Sequence, residues 1–278
     1  MQTLNTFNVH GGHDAQGRGA SGACAKIEGI GWFYESIEDR NVKNDVIDLL
    51  KKEEKTVYDC TIDSAGTQSA NLSQIVAKCN AHRVDRDLSI HFNSGRDDET
   101  GDGDNAGVEV WLYDNSDPQL VEEAERICKN ISKLGFDNRG VKFSKELYVL
   151  RKTKAKAMII ECCFVDDKDD VMLYKKVGHR SIAKAIVEGI LNKSISDIST
   201  SPAGGFKYDN GDYNRKAQVV GTGDGFLTVR TGRGTTFPKK GRFLEGQIIT
   251  VNYCLNNWFS TYDLDGKGFV SGTCIKLL

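Results

Sequence analysis

The 278-residue sequence has almost no net charge: 37 Lys and Arg stand against 39 Asp and Glu, a formal balance of -2. A nucleic-acid-binding domain carries a basic face, so nucleic acid is not expected as a partner, and the charge names no other. No segment approaches the ~20 consecutive apolar residues of a membrane span, and no membrane partner is expected. Residues 1–14 have no basic stretch followed by an apolar one. No secretory signal of the usual form is expected, and the expectation is a chain that folds in the cytoplasm without Sec export. The eight cysteines include no Cys-x-x-Cys pair, which argues against an all-cysteine zinc site. They read instead as small, buried, reduced residues. Nor is there an internal repeat of useful length.

What is present is an alternation of short apolar runs and helical periods over the first two-thirds of the chain. Leu4–Val9, Thr56–Cys60, Asp87–Phe92, Gly107–Tyr113, Leu147–Leu150 and Ala157–Glu161 read as strands. Between them, Arg40–Lys52, Asn71–Val84, Gln119–Leu134 and Arg180–Leu191 place apolar residues at helical spacing. Strands separated by helices imply an α/β domain, a twisted and mostly parallel sheet covered by helices on both faces. Ser194–Gly205 is small and polar and ends in Pro and Gly, which suits a linker. From Tyr208 to Leu278 the chain is rich in glycine, aromatics and β-branched residues without helical period, the pattern of a small all-β barrel. The expected division is therefore 1–193, a linker over 194–207, and 208–278.

Three points in the α/β part suggest a metal site. His13 follows the first strand, Glu35 lies ahead of the helix that begins near Arg40, and His91 closes an apolar strand. Functional groups gather at the carboxyl ends of parallel strands. Two histidines and a carboxylate leave a fourth tetrahedral position open, as catalytic zinc sites do. Glu161, after the apolar run Ala157–Ile160, would reach the same rim, where a carboxylate can take and return a proton. The residues alone leave alternatives: His10 instead of His13, Glu38 instead of Glu35, and plain strand-end roles for His91 and Glu161. His82 and His179 sit in charged helical surroundings and read as surface residues.

The segments FNVHGGHDAQGRGASG, YESIEDRNV, DLSIHFN, GVEVWLY and LYVLRKTKAKAMIIECCFVDD resemble, in order, the zinc N-acetylmuramoyl-L-alanine amidases of the amidase_3 type. The resemblance is strongest to endolysins of phages of Gram-positive bacteria. It implies His13, Glu35 and His91 as ligands of Zn2+, Glu161 as the catalytic acid–base, and a cleft bordered by Gly22. Arg139, in Asn138-Arg139-Gly140, is implied as a substrate contact, with a plain surface role as the alternative. Asp14 departs from the family's glycine after the histidine.

The segment Leu227-Thr228-Val229-Arg230-Thr231-Gly232, followed by Trp258 and Gly268-Phe269-Val270, resembles bacterial SH3 domains. It implies an SH3-like module that binds cell wall, with aromatics either lining a groove or filling a core. Together the resemblances imply an enzyme that cuts the amide between N-acetylmuramic acid and L-alanine in bacterial peptidoglycan. Such an enzyme would wait in the cytoplasm until released onto the wall. A zinc peptidase acting on stem peptides or cross-bridges, and a non-catalytic wall-binding protein, are the rival readings.

Overall fold

In the computed structural model, residues 3–195, 206–222, 225–234 and 237–278 are described. The chain divides into two compact units, Met1–Asp197 and Ile198–Leu278. Of the stretch read as a linker, residues 196–205 lie outside the described residues.

The first unit runs β1 (Thr6–Gly11), β2 (Cys24–Ile27), β3 (Gly31–Tyr34), α1 (Glu35–Lys52), β4 (Thr56–Asp59), α2 (Gln68–Asn80) and β5 (Arg86–Asn93). It continues with β6 (Val108–Leu112), α3 (Pro118–Ser132), β7 (Asn138–Phe143), α4 (Tyr148–Lys152), β8 (Lys156–Phe164), α5 (Lys168–Val177) and α6 (His179–Leu191). Six strands form one sheet in the order β4-β1-β5-β8-β6-β7. All its pairs are parallel except β6 with β8. The mostly parallel sheet is thus as expected, with β6 and β7 running opposite to the other four strands. β2 and β3 make a separate hairpin.

Alternation along β8 shows how both faces are covered. Met158 and Ile160 enter the main core, which also holds the buried faces of α1, α3 and α6. Ala157 and Ile159 point the other way, into a smaller cluster with Leu150 of α4. Glu161 keeps their parity, because strand side chains repeat every second residue. α3 is the clearest amphipathic helix, burying Leu120, Ala124, Ile127, Cys128 and Ile131. Its start is fixed by Pro118 in the first turn and by Asp117, whose carboxylate accepts the Gln119 and Leu120 N–H groups.

Four expectations need correction. Leu147–Leu150 is not a strand: Arg151 and Thr153 donate their N–H groups to the Leu147 and Val149 carbonyls, closing helical turns. A four-residue apolar run carries no period that separates strand from helix. β8 does not end at Glu161 but runs on to Phe164. α1 begins at Glu35 itself, not near Arg40. His179 is no simple surface residue, since its Nδ1 pairs with Asp45.

The second unit is all β: β9 (Gly211–Val219), β10 (Phe226–Arg230), β11 (Lys239–Leu244), β12 (Ile248–Leu255), β13 (Trp258–Thr261), β14 (Gly268–Ser271) and β15 (Ile275–Leu277). These pair antiparallel in the order β11-β10-β14-β13-β12-β9-β15. Alternate residues, among them Leu227, Val229, Ile249, Val251, Phe259 and Val270, build its core. Trp258 and Phe269 are only partly buried.

Candidate metal and acid–base site

The turn after β1 carries His13, and its path is set by backbone contact. The Gly12 N–H donates to the Ile90 carbonyl at 3.2 Å. A Cβ at Gly12 would sit 1.7 Å from His91 Cε1, so no side chain fits there. The hairpin of β2 and β3 delivers the chain to Glu35, the first residue of α1. Glu35 is 3% exposed, and both of its carboxylate oxygens are engaged. Oε2 accepts the Ala23 N–H at 2.8 Å, and Oε1 accepts the Phe92 N–H at 3.2 Å. His13 Nε2 lies 3.1 Å and His91 Nδ1 3.0 Å from that same Oε1.

The ligating atoms of His13, Glu35 and His91 all fall within 4.8 Å of one another. Two imidazole nitrogens and a carboxylate oxygen form a borderline-soft set of the kind zinc prefers. The arrangement therefore fits a zinc ion. Burial pushes the Glu35 carboxyl up, but hydrogen bonds from His13 and His91 outweigh it and hold it well below the ordinary range. Burial lowers His91, overriding Glu35, whereas at His13 burial is outweighed by Glu35 and the imidazole is raised. The group of Asp98, Asp167 and Asp169 also draws together. Its oxygens serve backbone N–H groups of Gly101, Asp102, Gly103 and Asp170.

The alternatives to the ligands lie elsewhere. His10 is fully buried, with Nδ1 facing the Gly11 carbonyl and Ser89, and is outside the cluster. Burial, aided by His91, pushes it down to about 3, so it is a neutral core imidazole. The Glu38 carboxylate accepts from Asn41 and the Tyr174 hydroxyl instead. Gly22 does border the site: with φ 74° it occupies a region favouring glycine. A Cβ there would lie 2.6 Å from Glu35 Oε2 and 2.7 Å from His13 Cδ2.

Glu161 stands beside His91, since the two are register partners on β5 and β8. Its Oε2 is buried without a hydrogen-bond partner. Burial first, then the charges of Glu35 and Glu109, raise its carboxyl well above the ordinary value. Across β6 the next residue in the rank is Glu109, opposite Glu161. Glu109 accepts from Asn93 and Trp111 Nε1 at 2.9 Å each, and from Arg139 Nε at 2.8 Å. Arg139 thus reaches the site's border through Glu109, with its guanidinium 4.9 Å from the Phe164 ring centroid.

Sequence reasoning missed three contributors. Glu109 was visible only as one polar residue in an apolar strand. Gln68 Oε1 lies 3.3 Å from His13 Nδ1, on the ring edge opposite Glu35, where it orients the imidazole as outer partners of metal ligands do. Asp14, seen only as a departure from a glycine, accepts from the Ala65 and Gly66 N–H groups and Asn71 Nδ2, tying the His13 turn to α2. An acid directly after a candidate ligand was the available signal for Asp14, and the structure buries it with the partners a buried acid needs.

Comparisons with known proteins identify the family. An uncharacterized protein of Clostridium perfringens strain 13 is 33% identical over 190 residues, which are 68% of this chain and 52% of that protein. The endolysin of Bacillus phage SPP1 is 31% identical over 162 residues, 55% of this chain and 56% of its own length. The chain spans about half the length of the curated relatives it matches. The solved catalytic domain of the CD27L endolysin targeting Clostridia difficile is 32% identical, with TM-score 0.57, covering 69% of this chain and 99% of that one. The amidase AmiC2 of Nostoc punctiforme, at 22% identity and TM-score 0.55 over 68% of this chain and 96% of that one, shares the fold. Residues 9–192 match the Amidase_3 model, N-acetylmuramoyl-L-alanine amidase, and the chain belongs to that family.

Proposed function

We propose that this chain hydrolyses the amide between the lactyl group of N-acetylmuramic acid and L-alanine in bacterial peptidoglycan, as an endolysin or autolysin. The observation that carries the reading is the convergence of His13, Glu35 and His91 beside the buried carboxyl of Glu161, in a chain of this family. His13 Nε2, His91 Nδ1 and Glu35 would hold Zn2+. Bound there, the ion supplies Lewis-acid charge for a polarised carbonyl and an acidified water.

The remaining chemistry belongs to Glu161. It takes a proton from the attacking water and delivers it to the alanine nitrogen as the C–N bond breaks. A raised carboxyl suits the second half of that task, because it holds the proton until the amine leaves. Glu35 is stripped of any such role by its hydrogen bonds, which keep it ionised. Gly22 leaves room for substrate against the ligands, and Arg139 offers N–H donors at the far end of the polar rank. Residues 208–278 act as an SH3-like wall-binding module that raises the local concentration of cleavable bonds.

Product analysis of digested walls tests the reading. New muramic lactyl carboxylates and N-terminal alanine are expected. Release of other amino termini with intact lactyl amides identifies a peptidase instead, and unchanged walls identify a non-catalytic binder.

A further inference from the structure

The near-neutral balance of the whole chain conceals an asymmetry. Residues 206–278 contain ten Lys and Arg against six Asp and Glu, while the rest of the chain contains 27 against 33. The second unit also uses its cations differently. Among the described residues, the ion pairs fall in the first unit, and no carboxylate pairs with a basic side chain of 206–278. Two of the second unit's acids are engaged with backbone: Glu245 accepts the Gly221 and Thr222 N–H groups, and Asp263 accepts that of Thr250.

Several cations gather where β10, β11 and β14 meet. Arg230 is the register partner of both Phe269 and Lys239. The Arg233 guanidinium carbon lies 4.5 Å from the Phe269 ring centroid and 5.6 Å from that of Tyr253. Lys267 Nζ lies 5.5 Å from the Phe269 centroid, and Lys240 Nζ donates to the Lys267 carbonyl at 3.0 Å. Arg230 donates to the Phe237 carbonyl at 2.8 Å. Carbonyl groups and ring faces hold these cations in place without cancelling their charge. Lys239, Lys240 and Lys267 are exposed.

At this point of the surface the arrangement favours an anion over a neutral sugar. Sugars stack on open aromatic faces, and here Phe269 is already approached by Arg233 and Lys267. Unneutralised cations of one sign attract an anionic partner. Fixed guanidinium and ammonium groups at several adjacent points suit phosphate oxygens, which Arg engages by paired hydrogen bonds and Lys as a point charge. Resting on the reading of 208–278 as a wall-binding module, we propose that it binds the wall through a phosphodiester-linked anionic polymer of the teichoic-acid kind. The contact residues are Arg233, Lys240 and Lys267, with Arg230 and Lys239 beside them.

The test uses the full chain carrying Glu161→Gln, so that walls stay intact. It is pelleted with purified Gram-positive walls before and after hydrofluoric acid strips their phosphodiester polymers, and with soluble polyglycerol phosphate as competitor. Expected results are binding to untreated walls, loss of binding to stripped walls, and displacement by the competitor and by salt. Lys239→Glu with Lys240→Glu, both exposed, should weaken binding roughly tenfold or more. Arg233→Ala should weaken it without charge reversal. Each variant should keep the near-ultraviolet circular dichroism and the urea-unfolding transitions of the parent full chain, which shows that the second unit still folds, and hydrolysis of soluble muropeptides by the same substitutions in the active chain should be unchanged.

Equal binding to stripped walls overturns the proposal and leaves the wall-binding reading standing, with peptidoglycan itself as the ligand. Pelleting with neither wall overturns both.

Discussion

Glu109 and Glu161 face each other across the antiparallel pair of β6 and β8, and their surroundings set them apart. Glu109 receives three side-chain hydrogen bonds, one from the Arg139 guanidinium. Glu161 keeps a buried oxygen with none. The proposed mechanism gives these two neighbouring carboxyls different tasks: Glu109 anchors its hydrogen-bond donors, and Glu161 carries the proton.

The division predicts opposite outcomes for the same change. Glu161→Gln should keep fold and metal and lose ~10²–10⁴-fold in hydrolysis of soluble muropeptides. Glu109→Gln should cost stability, about 1–3 kcal/mol by urea unfolding, because an NH2 group replaces one of the two oxygens and faces a donor in place of an acceptor. Activity of Glu161→Gln within a few-fold of the parent would reduce it to a strand residue.

For the ligand set, one zinc per chain is expected by elemental analysis. His13→Ala and His91→Ala should each lose both metal and activity. Full zinc content in His91→Ala would remove it from the site.

Gly22→Ala probes the site without touching a ligand. The added methyl would meet the Glu35 carboxylate and the His13 ring, at a φ that side chains rarely adopt. Zinc content and activity should both fall, while Gly29→Ala, also at positive φ but with open space around it, should spare both. Equal metal content in the two variants would show that the turn yields.

How much of this was legible in the sequence depended on burial. The central strands announce themselves because nearly every residue of Asp87–Phe92 is apolar or enclosed. The edge strand β7 does not: Asn138, Arg139 and Phe143 are exposed, so its pattern carries no apolar period. The hairpin of β2 and β3 was equally silent, being four residues per strand, with alternate residues of β2 exposed and only one residue of β3 buried. The histidines were readable because each ends or follows an apolar strand. Glu109 and Gln68 were not, since their roles come from the register of β6 with β8 and from the approach of α2 to the β1 turn. Spacing along the chain does not encode either.

His179 links the last helix to α1 and makes stability depend on pH. A hydrogen bond with Asp45 raises its pKa above 6.5, against the lowering effect of burial. Arg180 also pairs with Asp45 and with Asp48. A pKa raised by folding adds stability that is fully present below the unfolded value of ~6.5 and lost as pH rises through the folded one. His179→Gln should therefore lower Tm most at pH 5.5, with the gap to the parent narrowing as pH climbs above 6.5. A gap that is constant with pH would mean that the pair contributes no proton-linked stability.

The boundary of the first unit offers a last prediction. Ile195 is 4% exposed and packs into the main core, and its N–H donates to Glu188 Oε1 at 3.1 Å. Burying an isoleucine side chain stabilises by roughly 1.5–3 kcal/mol. A fragment ending at residue 197 should fold alone, hydrolyse soluble muropeptides as the full chain does, and unfold at higher urea than one ending at residue 193. Both should lyse intact walls more slowly than the full chain, because tethering helps only on a surface with many sites. If the longer fragment is insoluble or inactive on soluble substrates, the first unit depends on the second, and the two cannot be independent domains.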